Sequence, residues 1–252
     1  MKDENINTII FGCPCGGSSF TFELIKDFLI KYSEGRNFTS LHEPEMKFMR
    51  MDWEKFKSIT DARNNIELHK ENFKNCVDKY TLIKNNYFAR FLDDKDFENI
   101  VSNNKLIFVI RLPWQWANSA VNSRFSNHYF YWKTVENVNL NIDNEKHIID
   151  LWLDITNDIL NFTSRIKNDV LFLDYYEYVE NKQFLEQTLN SFYNTKEYIE
   201  LKNYVNVQVV HTNRRRSRHE TRYDVKDEYK TYRLGEINDV LEKFGFQTMD
   251  MT

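Results

Sequence analysis

The sequence predicts an α/β chain of the P-loop type, with three layers: a central parallel sheet flanked by helices. Three observations carry that prediction. Lys105 to Ile110, KLIFVI, is a continuous apolar run of the kind a strand buried on both faces of a parallel sheet requires. Thr8 to Thr21, TIIFGCPCGGSSFT, reads as a strand, a turn of small residues and a helix head in immediate succession. Further along, stretches with helical periodicity alternate with short apolar runs, as βαβ units do.

Composition narrows the class before any motif is weighed. At 252 residues the chain suits one domain, which we take as 1–252 with a helical, cap-like insertion around 52–79. Hydrophobic residues at 41% and aromatics at 15% argue against disorder, and six glycines with three prolines leave no room for a long linker. A net charge of −4 gives no general basic surface for nucleic acid. No apolar run approaches membrane length, and the first strand begins too early for a signal peptide. Three cysteines, two of them inside the turn, fit a reducing compartment better than a disulfide scaffold, so the expected location is cytoplasmic. Cys13 and Cys15 have no second Cys/His cluster at ligand spacing, so no metal is expected.

Ile9-Ile10-Phe11 stops at Gly12; four residues later comes Gly17, followed by Ser18 and Ser19. Glycines let the backbone approach a ligand, and the free amides of a first helical turn, backed by the helix dipole, cradle an anion. The spacing is that of a Walker A loop with Ser where the phosphate-binding Lys stands, so a phosphate-like group is expected without ordinary NTPase chemistry. A plain glycine turn between strand and helix is the alternative. Phe20, Leu24, Phe28 and Tyr32 then recur every four residues and define a helix with one buried face, ended by Gly35.

Phe38 to Leu41 reads as a short strand that delivers His42 and Glu43 to the sheet edge where the loop also opens, and Pro44 holds the chain extended behind that carboxylate. Residues 52–79 read as a surface helical region. Tyr80 to Ile83 is a strand with Lys84 at its exit, either solvated or gathered with the loop. Arg111 follows the KLIFVI strand at once, and Ser119 lies on the helix opened by Pro113; the pair can grip one phosphate, although Arg111 alone could equally be a salt-bridged end residue. The aromatic run within 125–141 is either core packing or a substrate wall. Asp143 caps a long helix through Lys167 with a core stripe that includes Trp152, Ile155, Ile159 and Phe162. Val170 to Leu173 is another buried strand, and Phe184 to Phe192 a helix. Asn213 to Tyr223 holds five arginines, either a solvated loop or a source of the cation that the glycine turn lacks. The last helix sets Leu234, Ile237, Val240, Leu241 and Phe244 on one side and ends at Gly245.

Several of these segments together resemble one family, the sulfotransferases that use 3′-phosphoadenosine 5′-phosphosulfate, and within it the carbohydrate sulfotransferases. Cys15-Gly16-Gly17-Ser18-Ser19-Phe20 is similar to their 5′-phosphosulfate loop, Arg-Ser-Gly-Ser-Ser-Phe. Leu41-His42-Glu43-Pro44 resembles their second strand with its Phe-Glu-Pro ending. Residues 105–124 resemble the 3′-phosphate segment, with Arg111 and Ser119 on the two phosphate ligands, and VLFLDYYEYV at 170–179 is similar to their later strand and its Arg-Tyr-Glu-Asp-Leu continuation. The resemblance spans residues 8 to about 192. Three departures stand out: Cys15 replaces the loop's Arg or Lys, and Leu112 and Trp114 replace the Asp and Arg around Pro113.

The resemblance implies a phosphosulfate donor and sulfuryl transfer to a hydroxyl or amine of a sugar or other small acceptor. Aryl-type members carry a catalytic His two residues after the Lys of a middle strand; here Lys84 is followed by Asn85 and Asn86, which points to Glu43 as the base and His42 as its reserve. Lys84 would offset charge on the bridging oxygen. Cys15, Gly16, Gly17, Ser18, Ser19 and Phe20 would hold the phosphosulfate, Arg111 and Ser119 the 3′-phosphate, and Arg214, Arg215 and Arg216 would close over it. Two rivals remain from the sequence: a P-loop kinase or nucleotide phosphotransferase, which would need Mg²⁺ and a loop Lys, and a nucleotide-binding module without catalysis.

Overall fold

Alternation along the strands decides which helices cover which face of the sheet. The computed structural model describes residues 6–12, 17–34, 37–42, 66–86, 88–116, 145–204 and 231–249. Five strands lie in it: β1 Thr8–Gly12, β2 Ser40–His42, β3 Leu82–Asn85, β4 Lys105–Ile110 and β5 Val170–Asp174. They pair in parallel throughout, in the order β2-β3-β1-β4-β5. Parallel strands need crossovers, and helices lie in each of them: α1 Ser18–Tyr32, α2 Ile66–Val77, α3 Lys95–Val101 and α4 Glu145–Arg165; α5 Tyr175–Glu180, α6 Lys182–Phe192 and α7 Leu234–Lys243 follow the last strand. The fold is mixed α/β with an all-parallel sheet covered on both faces, as the sequence predicts.

One face carries Ile10, Leu82, Ile107, Val109 and Leu173, packed by Phe20, Leu24, Ile25, Phe28 and Leu29 of α1 and by Tyr178, Leu185 and Leu189 of α5 and α6. The other carries Ile9, Phe11, Ile83, Leu106, Phe108 and Ile110 beneath α2, α3, α4 and α7. Aromatic rings fill that second layer: Phe11 stands 5.2 Å from Phe88 and 5.0 Å from Phe108, ring centre to ring centre. Residues 66–77 of the stretch expected to be cap-like form α2, whose Phe73, Cys76 and Val77 join this core; residues 52–65 lie outside the described residues.

Several boundaries differ from the sequence reading: β5 takes in Asp174 and α4 stops at Arg165 rather than Lys167. β3 runs on through Asn85, so Lys84 sits inside the strand rather than at its exit, because β1 continues to Gly12 and keeps offering a pairing edge as far as Asn85. β2 begins at Ser40 rather than Phe38 and takes in His42. Tyr175–Glu180, a segment left unassigned by periodicity, is a helix started by Asp174, whose carboxylate accepts from the amide of Tyr176 at 2.9 Å. The strand Lys105–Ile110 has the limits expected of it, and α1 ends at Tyr32 with Ser33 as its C-cap, followed by a left-handed Glu34 with φ 50°.

Candidate anion site at the strand C-termini

β1 occupies the middle of the sheet, with β3 on one side and β4 on the other, so the chain leaves its C-terminal end in opposite directions. A crevice forms at such a switch point. α1 begins there. Gly17 precedes it in the left-handed region at φ 88°, and the helix closes with the amide of Thr21 donating to the Gly17 carbonyl at 3.1 Å. Helix geometry leaves the amides of Ser18, Ser19 and Phe20 unspent within the helix. No acidic residue stands in the first turn to oppose an anion, and Lys31 sits in the last. Gly12 lets this head fold back against its strand: a Cβ there would lie 2.5 Å from that of Ser18.

The head of α1 is tied down from below by two buried hydroxyls. Thr21 Oγ1 donates to the Gly17 carbonyl at 3.2 Å and also pairs with the Tyr178 hydroxyl. Burial, with the neighbouring Tyr175 second, holds the Tyr178 phenol well above its ordinary pKa, so it remains a proton donor. The chain therefore runs from Tyr178 O–H to Thr21 to Gly17, ending on the peptide whose N–H belongs to Ser18.

Beside this head lies a cluster of three polar side chains. In the parallel register Lys84 is opposite Ile10 on one side and His42 on the other, so all three point to the α1 face. The Lys84 side chain is 1% exposed, and its Nζ donates to Ser19 Oγ at 2.9 Å. It also lies 3.4 Å from His42 Nε2, which is 3.2 Å from Ser19 Oγ. A lysine nitrogen has only hydrogens to offer, so His42 Nε2 faces it as an acceptor, in the Nδ1–H tautomer. The His42 ring is set edge-on to Phe22 at 5.0 Å, which fixes its plane. Ser18 Oγ donates to Asn86 Oδ1 at 3.2 Å.

Arg111 stands on the other side of β1. It follows β4 as Tyr175 follows β5, and the register Ile110 to Asp174 sets the two side by side. The guanidinium lies in the angle between two perpendicular rings, 5.2 Å from the centre of Tyr175 and 5.7 Å from that of Tyr176, and Nε donates to the Tyr176 hydroxyl at 3.1 Å. Its carbonyl accepts from Trp152 Nε1 at 2.7 Å, which pins the strand exit to α4. On the far face a small pocket is lined by Phe11, Phe88, Phe108, Trp116 and Trp152 among others, with Arg111 and Thr156 at its polar edge among the described residues.

Of the residues expected to form the site, Gly17, Ser18, Ser19, Phe20, His42, Lys84 and Arg111 are described. Ser19, His42 and Lys84 meet at one point, Ser18 pairs with Asn86 beside them, and Arg111 lies across β1. Phe20 turns into the core, 2% exposed and stacked on Tyr178 at 6.2 Å, so it contributes its amide rather than its ring. Cys15, Gly16, Glu43, Ser119, Arg214, Arg215 and Arg216 lie outside the described residues. Asn86, Thr21, Tyr175, Tyr176 and Tyr178 are additions that the sequence reading missed. Among the described residues no group of three or more His, Cys, Asp or Glu is placed to hold a metal, and no helix is long and apolar enough to cross a membrane.

No protein-family model matches this chain. None of the curated proteins matches it either. Among solved structures it is similar to a sulfotransferase domain from the curacin biosynthetic pathway, with 14% identity over 96% of this chain and 98% of that one, at a TM-score of 0.47.

Proposed function

We propose that this chain is a sulfotransferase that moves the sulfuryl group of 3′-phosphoadenosine 5′-phosphosulfate to a hydroxyl or amine of a sugar or other small acceptor. The observation that carries the reading is the meeting of Ser19, Lys84 and His42 at the head of α1: a buried amine and a hydroxyl beside unspent helix amides form a donor set suited to an anion. The motif order that resembles the sulfotransferases supports it independently.

When bound, the donor supplies an activated sulfuryl group whose bond to phosphate oxygen breaks as the acceptor oxygen or nitrogen bonds to sulfur. The protein's share is positioning and charge stabilisation, because such displacement needs little covalent help. The amides of Ser18, Ser19 and Phe20 hold the phosphosulfate end, together with the Ser hydroxyls and with Cys15 and Gly16. Lys84 Nζ offsets the negative charge left on the bridging oxygen. Across β1, Arg111 with Ser119 holds the 3′-phosphate, and Arg214, Arg215 and Arg216 close over it. Glu43, next after His42, takes the acceptor's proton, which requires burial to raise its carboxyl above the ordinary range. His42 Nε2, already facing as an acceptor, is the second candidate.

Transfer of labelled sulfate over a panel of sugars and alcohols tests the reaction, and calorimetry with adenosine 3′,5′-bisphosphate against ATP with Mg²⁺ tests the ligand. The expected result is bisphosphate binding without Mg²⁺ and labelled product that is lost in Glu43→Gln with binding retained. Preference for ATP with Mg²⁺ would instead identify a phosphotransferase. Bisphosphate binding without transfer to any acceptor would identify a binding module.

A further inference from the structure

Tyr175 is the residue on which the two halves of the site converge. The Cδ2–Cε2 edge of its ring presses on Gly17: a Cβ built on Gly17 would fall 1.9 Å from Cε2, 2.0 Å from Cδ2 and 2.9 Å from Cζ. Its face carries the Arg111 guanidinium at 5.2 Å. The ring has little freedom, since Tyr176 meets it edge-on at 5.3 Å and Tyr178 does so at 5.7 Å. Its backbone is fixed as well, as the first residue of α5 directly after the capping Asp174. One rigid ring therefore separates the amide cradle from the cation beyond it.

We propose that Tyr175 is a positioning residue that sets the spacing between the α1 head and Arg111, and so selects a nucleotide with two phosphoryl groups over one with a single 5′-phosphate. The inference rests on the nucleotide reading above. An arginine side chain is long and rotamer-rich, and a guanidinium held against two rings loses less entropy when it meets a phosphate. Without the ring, Arg111 keeps Tyr176, whose hydroxyl accepts from Nε at 3.1 Å, but loses the face that spaces its guanidinium from Gly17. Tyr175 touches no phosphate in this proposal; it acts through Arg111.

The test is the ratio of affinities for adenosine 5′-monophosphate and adenosine 3′,5′-bisphosphate, measured by calorimetry on the full chain. Wild type is expected to favour the bisphosphate by about 10- to 100-fold, the worth of one charge-assisted contact. Tyr175→Phe keeps the ring and should keep the ratio. Tyr175→Leu, which fills much of the same volume without a ring face, should bring the ratio to within about threefold of that in Arg111→Ala. In the Arg111→Ala background, Tyr175→Leu should change the ratio no further. Circular dichroism establishes that each variant is folded, and Tyr175→Trp, a ring of the wrong size, is the second variant should Leu not fold; it too should lower the ratio. A folded Leu or Trp variant with the wild-type ratio overturns the spacer alone. A wild type that binds neither nucleotide overturns the reading beneath it, and the spacer with it.

Discussion

Replacing Lys84 by Met separates two explanations of a lysine that is 1% exposed inside a parallel strand. Burying an amine in a sheet is costly unless something compensates, and among the described residues its Nζ meets two neutral groups, Ser19 Oγ at 2.9 Å and His42 Nε2 at 3.4 Å. Met has nearly the same length and no charge. Removal does not orphan the serine, which keeps His42 at 3.2 Å. An amine kept for a ligand carries a desolvation cost that Met does not, so on that explanation the melting temperature should hold or rise, at roughly 2–4 °C per kcal/mol for a chain of this size. Affinity for adenosine 3′,5′-bisphosphate should fall about 10- to 150-fold, the loss of roughly 1.5–3 kcal/mol from one charged hydrogen bond. Thermal melts and calorimetry on the same preparation give both numbers. A Lys84→Met chain that melts lower and binds as before would show that the amine serves the fold, and the argument for an anion beside it would be lost.

Gly17→Ala forces a side chain into a left-handed φ of 88° and onto the Tyr175 ring, for about 1–2 kcal/mol of backbone strain and 1–3 of overpacking; a urea midpoint within 1 kcal/mol of wild type would contradict both. Thr21→Val keeps the shape but leaves the buried Tyr178 hydroxyl without Thr21, and should lower stability by about 1–3 kcal/mol in the same assay. Burial raises the phenol pKa of Tyr178, Tyr193 and Tyr204, the last to about 12, above an unfolded value near 10. The folded chain therefore holds these protons where the unfolded chain has released them. Stability is full below about pH 10 and falls as pH rises toward the folded values, by roughly 1.4 kcal/mol per pH unit for each such tyrosine. Phenolate absorbance from these three should appear together with unfolding, and ionisation in a chain that stays folded would refute the prediction.

The layers were legible because Lys105–Ile110 and the α1 stripe carry strong periodic signals, and both are found where the pattern puts them. The short helix Tyr175–Glu180 was not, since six residues hold less than two turns and leave too little periodicity to read. Lys84 was misplaced by one step for a related reason. Apolar runs mark where a strand is buried, but its end depends on how far the neighbouring strand continues, and that is a property of β1. Ser18, Ser19 and Arg111 were readable as candidates from local motifs. The partners that fix them, Asn86, Tyr175 and Tyr176, lie some 65 to 160 residues away along the chain and become neighbours only through parallel register.

That register also explains why the site is asymmetric. Because β1 is central, the helix that follows it begins between the edges of β3 and β4, and any cation at either edge flanks the same amide cradle. On the β3 side the cation is buried and meets a hydroxyl and an imidazole, groups that can share protons. On the β4 side it is held by aromatic rings and a phenol, groups that fix position. A ligand with a single charged group needs only one of these. The arrangement as a whole suits an elongated ligand with an anion near each end, and in the function we propose bond-breaking belongs to the Lys84 end and grip to the Arg111 end. Reversing that polarity would require a proton acceptor beside Arg111, and the side chains that hold it there, Tyr175 and Tyr176, are poor ones.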